Sequence, residues 1–154
     1  MLAVGRLRPC FREACNDYLR RLRRVAEVRE VEVREAARAG SPALQRREEA
    51  KRLTGALPDR AVRVALDQRG EPWSSEELAR RVGAWRDAAR PVALVIGGAE
   101  GLDPAVLEAS DLRWSLGPLT LPHELARVVV MEQLYRAFAI LRGAPYHKGD
   151  SRGS

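Results

Sequence analysis

The chain is poor in lysine and cysteine and has no long apolar run. Of its 27 basic residues only Lys51 and Lys148 are lysines. An arginine excess this broad reads as compositional bias, so the position of a basic residue argues more than the number of them. The two cysteines, Cys10 and Cys15, would point in different directions on a helix and cannot bridge each other. With no second cysteine cluster there is no zinc-site spacing. Reduced thiols and no metal are therefore expected. The apolar runs are strand-sized, short of the roughly 18 residues of a membrane span. The start, Met1-Leu-Ala-Val-Gly-Arg-Leu-Arg8, lacks the basic opening and longer apolar stretch of an export signal. No membrane partner and a cytoplasmic location are the expectations. No repeat and no low-complexity block is present.

What is present fits one domain. At 154 residues the chain can bury a core without staples. The formal net charge of +6 fits a polyanionic partner, and equally a solvated basic surface.

Helix and strand signals alternate along the chain. Met1–Val4 is a short apolar start. Phe11, Tyr18, Leu19 and Leu22 recur at helical spacing within residues 11–25. Val28, Val31 and Val33 mark a second strand. Ser41 caps a charged helix that ends near Leu57. Residues 61–67 alternate as a strand should. Ser74 and Glu77 form a capping box opening a helix to about Ala89. Val92–Ile96 is the central strand. Asp103-Pro104 places a cap before a proline at the first helical position. Residues 113–116 read as a brief strand, and residues 123–142 as a final helix stopped by Gly143. This alternation predicts an α/β fold: a single-domain parallel sheet with helices on both faces. The final helix is apolar nearly all round, so it is buried on more than one side. In so short a chain the second side points to another copy, and a homodimer is expected.

Two loops stand out. The first is in Val92-Ala-Leu-Val-Ile-Gly-Gly-Ala-Glu-Gly-Leu102, a buried strand that runs into Gly97, Gly98 and Gly101. Such a loop brings backbone N–H groups close to a ligand that a side chain would block. It is not a dinucleotide fingerprint, because the glycine order is wrong and no acidic residue ends the next strand. The second is Leu116-Gly-Pro-Leu-Thr-Leu-Pro-His123. Its two prolines stiffen it and remove donors, which suits an adenine ring packed on Leu or Pro. Ligands of parallel sheets bind at the carboxyl ends of strands. The informative loops are therefore those after Leu66, Ile96 and Leu116.

The segments Val95–Leu102, Leu116–His123, Arg127–Ala137, Leu66–Ser75 and Pro145-Tyr146-His147-Lys148 together resemble the ribosomal RNA large subunit methyltransferase H family. The resemblance spans essentially the whole chain. It implies a SPOUT-type domain over residues 1–148 with a C-terminal trefoil knot, an exception to the rule that chains do not knot. Residues 149–154 read as a flexible tail. It also implies a homodimer that binds S-adenosyl-L-methionine and methylates N3 of a pseudouridine in 23S rRNA. The partner implied is large-subunit rRNA in the assembled 70S ribosome, with no DNA, membrane or metal. Around the methyl donor the resemblance puts Leu66, Gly97, Leu116, Gly117, Pro118, Leu119, Thr120 and Leu121. Near the reaction centre it puts His123, Arg127, Tyr146, His147 and Lys148. The resemblance further implies that the Tyr-His-basic tail of one subunit completes the site of the other.

The chemistry asks for little covalent help. A sulfonium donor is already activated, so the protein chiefly aligns nucleophile, methyl and sulfur. The N3 imide proton must leave. His147 and His123 are the candidates to accept it; the helix dipole disfavours protonation of His123, which can equally hold a structural hydrogen bond. Alternatively Arg127 or Lys148 stabilises the imide anion. Arg127 reads either as a contact to RNA or as a salt bridge to Glu124 or Glu100. Glu100 reads as a ribose contact or a solvated carboxylate, Glu132–Arg136 as a structural pair. Trp73, Trp85 and Trp114 read as core or dimer packing before base stacking. Two other functions compete: a ribosome-binding protein without essential chemistry, and a knotted methyltransferase of tRNA.

Overall fold

The computed structural model describes residues 1–148, with side chains through Tyr146. The expected tail, residues 149–154, and the side chains of His147 and Lys148 lie outside the described residues. Five strands form one parallel sheet in the order β2-β1-β4-β3-β5. They are β1 (Leu2–Val4), β2 (Val31–Val33), β3 (Val62–Pro72), β4 (Val92–Ile96) and β5 (Leu112–Ser115). The helices are α1 (Pro9–Leu22), α2 (Pro42–Ala56), α3 (Ser75–Asp87), α4 (Pro104–Glu108) and α5 (His123–Leu141), followed by a 3-10 turn, Pro145–Lys148.

The predicted caps form. Ser41 accepts from Leu44 N at 3.2 Å and opens α2. Ser74 accepts from Glu77 N at 3.0 Å and opens α3, but only this half of the expected capping box forms, because the Glu77 carboxylate pairs with Arg81 at 2.9 Å instead of turning back to the Ser74 N–H. Asp103 accepts from Ala105 N at 2.9 Å ahead of Pro104. Gly143, at φ +67°, follows the end of α5. Each satisfies a backbone group that a helix end leaves orphaned.

Both sheet faces are covered. On one, Val64, Leu94, Ile96 and Trp114 pack with Leu78 and Val82 of α3 and Val130 and Ala137 of α5. On the other, Leu2, Val4, Ala93 and Val95 pack with Leu53 of α2 and with Val106 of α4. Cys15, Leu19 and Leu22 of α1 close a third cluster on Met131 of α5. Among the described residues no helix is long and apolar enough to cross a membrane.

One element departs from expectation. β3 does not stop near Asp67 but runs on to Pro72. It pairs with β5 twice, Leu66 against Trp114 and Glu71 against the same Trp114, with residues 67–70 bulged out between them. Such a bulge bends the strand and re-aims its side chains. Gly70 makes it possible: a Cβ there would lie 2.6 Å from the carbonyl carbon of Arg113. Periodicity cannot show a strand that leaves its register and returns, so the segment read as a loop.

Candidate functional site

Three loops meet at the carboxyl edge of β3, β4 and β5. The β3 bulge supplies Leu66, Asp67 and Gln68, the loop after β4 supplies Gly97, Gly98 and Gly101, and the loop after β5 supplies Leu116, Gly117, Leu119, Thr120 and Leu121. His123 and Ala126 of α5 complete the wall of a cleft of about 170 Å3. Pro118 is exposed and does not line it.

Local chemistry fixes these loops. Gly101 N donates to Gly98 O at 3.0 Å, folding the glycine loop back on itself. A Cβ on Gly97 would lie 2.6 Å from the carbonyl carbon of Gly101, closer than any real contact allows, so only glycine fits. In the stiff loop Gly117 adopts φ +113°, where a side chain is strained. Its N–H donates to Ser115 Oγ at 3.1 Å. Gln68 Nε2 donates to Thr120 Oγ1 at 3.0 Å and ties the first loop to the third. Sequence reasoning missed Gln68, whose partner is 52 residues away and leaves no local signal. Leu119, 75% exposed, stands at the cleft rim.

The polar residues fall into two groups. His123 begins α5, half-buried, and faces the cleft. Arg127 does not. Its side chain is 0% exposed and donates to Gly5 O at 3.0 Å, Glu30 Oε2 at 3.1 Å and Glu32 Oε2 at 2.6 Å. The salt bridge expected to Glu124 or Glu100 is thus replaced by one to the carboxylates of residues 30 and 32. Arg12 also pairs with Glu30, and with Glu32 at 2.7 Å. Glu124 instead takes the backbone N–H of Arg8 at 2.7 Å and its Nε at 2.8 Å. Those bonds, the backbone one foremost, hold its carboxyl below the usual range. Glu100 is exposed.

Tyr146 packs edge-on against Tyr135, with ring centroids 4.8 Å apart, and its hydroxyl donates to Glu132 Oε1 at 3.1 Å. Burial, the Tyr18 hydroxyl and Glu132 push its phenol above the ordinary value. The Glu132–Arg136 pair forms as expected, at 2.6 Å. Glu132 lies about 9 Å along α5 from Ala126 at the cleft, at 1.5 Å rise per residue. This chain's Tyr146 therefore sits away from its own cleft. Trp73 stacks on Trp114 at 5.4 Å and 12°, with Trp85 tilted against it; the three pack together, and Trp114 also lines the cleft. Among the described residues no group of His, Cys, Asp and Glu could hold a metal ion. A larger groove of about 1000 Å3 lies between α2 and α4. The smaller cleft is the candidate site because three strand ends converge on it.

Residues 1–147 match the family model described as "Predicted SPOUT methyltransferase". The chain is 56% identical over 153 residues to ribosomal RNA large subunit methyltransferase H of Rubrobacter xylanophilus, covering 96% of each chain. It is 43% identical over 151 residues to the protein of that name from Nitrosococcus oceani, again with 96% of each covered. For Anaeromyxobacter sp. the figure is 46% over 149 residues, covering 96% of this chain and 97% of the relative. The chain belongs to the ribosomal RNA large subunit methyltransferase H family of SPOUT methyltransferases.

Proposed function

We propose that this protein transfers the methyl group of S-adenosylmethionine to N3 of a pseudouridine in 23S rRNA, as a homodimer on the assembled 70S ribosome. The observation that carries the reading is the meeting of Leu66, Gly97, Leu116, Gly117 and residues 119–121 at one cleft. The relatives' name supplies the class of RNA. A ribosomal target makes the location cytoplasmic.

The residues fit the donor. Leu66, Leu116 and Leu121 offer apolar walls for a purine. Gly97 lets backbone approach where a Cβ would collide, and Gly117 takes a positive φ that strains any side chain. S-adenosylmethionine, when bound, supplies an activated methyl group. The chain's residues hold and orient it, and Leu119 at the rim excludes water. Two imidazoles are available to take the N3 proton: His123 in the cleft, and His147 from the tail of a second copy. Lys148 of that tail stabilises the imide anion. Arg127, buried among carboxylates, acts by fixing the start of α5 rather than by touching RNA. Tail exchange between copies is supported by Tyr146 lying along α5, away from its own cleft. The half-buried Val128 and Val129 and the exposed Leu125 of α5 leave apolar surface for the second copy. We take the loop after β5 to thread the loop after β4 as a trefoil knot; both loops lining one cleft supports this.

The test is to incubate the protein with labelled methyl donor and 70S ribosomes, isolated subunits or tRNA, then map the modified nucleoside. Label on a large-subunit pseudouridine N3, strongest with 70S ribosomes, is the expected result. Label on tRNA, or none, overturns the reading. A concentration-independent monomer mass by light scattering overturns the dimer.

A further inference from the structure

A second concavity, larger than the cleft, is the groove between α2 and α4, on the sheet face opposite α3 and α5. It exists because α4 has five residues and α2 has 15. The short helix leaves sheet uncovered, and Leu53 and Val95 form part of the floor. Arg46, Arg47 and Lys51 of α2 and Arg63 of β3 line it. Lys51 pairs with Glu48 at 3.0 Å. The side chains of Arg46, Arg47 and Arg63 make no hydrogen bond or ion pair with any described residue. Arg8, Arg12, Arg81 and Arg136 each hold a carboxylate, whereas Arg6, Arg24 and Arg69 also hold none; what sets the groove apart is that its arginines line one channel. Two acids also line the groove, Asp103 and Glu108. Asp103 also caps α4, and four basic side chains against these two acids leave the groove a positive excess.

Its course matters as much as its charge. α2 and α4 both follow strands and so begin at the carboxyl edge of the sheet. Asp103, at the upper end, is the residue after the Gly97–Leu102 loop that walls the cleft. The lower end is marked by Arg63 and Ser110. From Ala43 to Leu57 the groove runs about 21 Å, at 1.5 Å per helical residue. It therefore leads away from the candidate reaction centre over a length of several nucleotides.

We propose that this groove holds the phosphate backbone of the RNA segment flanking the modified base. Arginine forks bind phosphate bidentately, and three guanidiniums that hold no carboxylate by hydrogen bond or ion pair line one channel, as a chain of such groups requires. The proposal rests on the rRNA reading above and adds a second, sheet-face contact to it.

The test compares the parent protein with Arg46→Gln/Arg63→Gln, and with Arg47→Glu at an exposed position that does not bear on folding. Affinity for 70S ribosomes is measured across a salt series, methyl transfer at saturating ribosomes, and S-adenosylmethionine affinity by calorimetry. Removing one arginine–phosphate pairing should flatten the slope of log affinity against log salt by roughly 0.7–0.9. The double variant should then lose about 1.5 in slope, bind ribosomes roughly tenfold to hundredfold more weakly, and keep donor affinity and saturated turnover. An unchanged slope and affinity in both variants overturns the proposal. Weaker binding with an unchanged slope also overturns it, and assigns the groove to a protein surface. A parent that binds ribosomes but transfers no methyl group fails the activity reading alone; the slopes still decide the groove.

Discussion

Replacing Arg127 by methionine separates a buried structural cation from one that reaches the substrate. The arginine side chain is 0% exposed, and its carboxylate partners Glu30 and Glu32 are 9% and 28% exposed. Removing one partner of a buried pair strands the other charge and typically costs about 3–5 kcal/mol. Here Arg12 stays bonded to both carboxylates, so the stranded charge is partly shared. The destabilisation should sit at the low end, about 3 kcal/mol. Methionine keeps most of the volume, so little of that is cavity. Urea unfolding at fixed protein concentration gives the value, with m unchanged between the two proteins. Adding Glu32→Gln to Arg127→Met should recover part of the stability, with a coupling of about 1 kcal/mol or more in the double-mutant cycle. Donor affinity should fall as well, because Arg127 pins the start of α5 to Gly5 O, and His123 lies one turn before it. A destabilisation under about 1 kcal/mol with turnover abolished would refute the burial argument and return Arg127 to the substrate.

Gly97→Ala should cost roughly 1–3 kcal/mol of stability and weaken donor binding at least tenfold by calorimetry, because its Cβ collides with backbone at Gly101; full donor affinity would exclude Gly97 from the cradle. His147→Ala should lower turnover by about 10²–10⁴ with donor affinity unchanged, and undiminished turnover removes His147 from the reaction. The Tyr146 phenol is held above its ordinary value, first by burial, then by Tyr18 and Glu132, so the native state keeps that proton longer than the unfolded chain. Its contribution is whole below about pH 10 and declines as pH rises past that value. Tyr146→Phe should flatten the alkaline fall in urea midpoint above about pH 10, and equal falls in both proteins would mean that the ring is not packed on α5.

What could be read from the chain follows how local the causing physics is. Caps at Ser41, Ser74 and Asp103 involve neighbours within three residues, and all three form. The strand-end argument selected the loops after Leu66, Ile96 and Leu116, and these loops line one cleft. The failures are long-range. The β3 bulge depends on Gly70 meeting Arg113 across the sheet, and no periodicity encodes that. Arg127 read as an RNA contact or a partner of Glu124 or Glu100, yet its partners lie 95 and 97 residues away in the chain. The same distinction orders the two basic features. Arg127 is surrounded by carboxylates and so has no field left for an outside anion. Arg46, Arg47 and Arg63, lining the channel that starts where the glycine loop ends, keep theirs. In a chain whose arginine count is compositional, the guanidiniums open to a polyanion are those that the fold has left without a carboxylate.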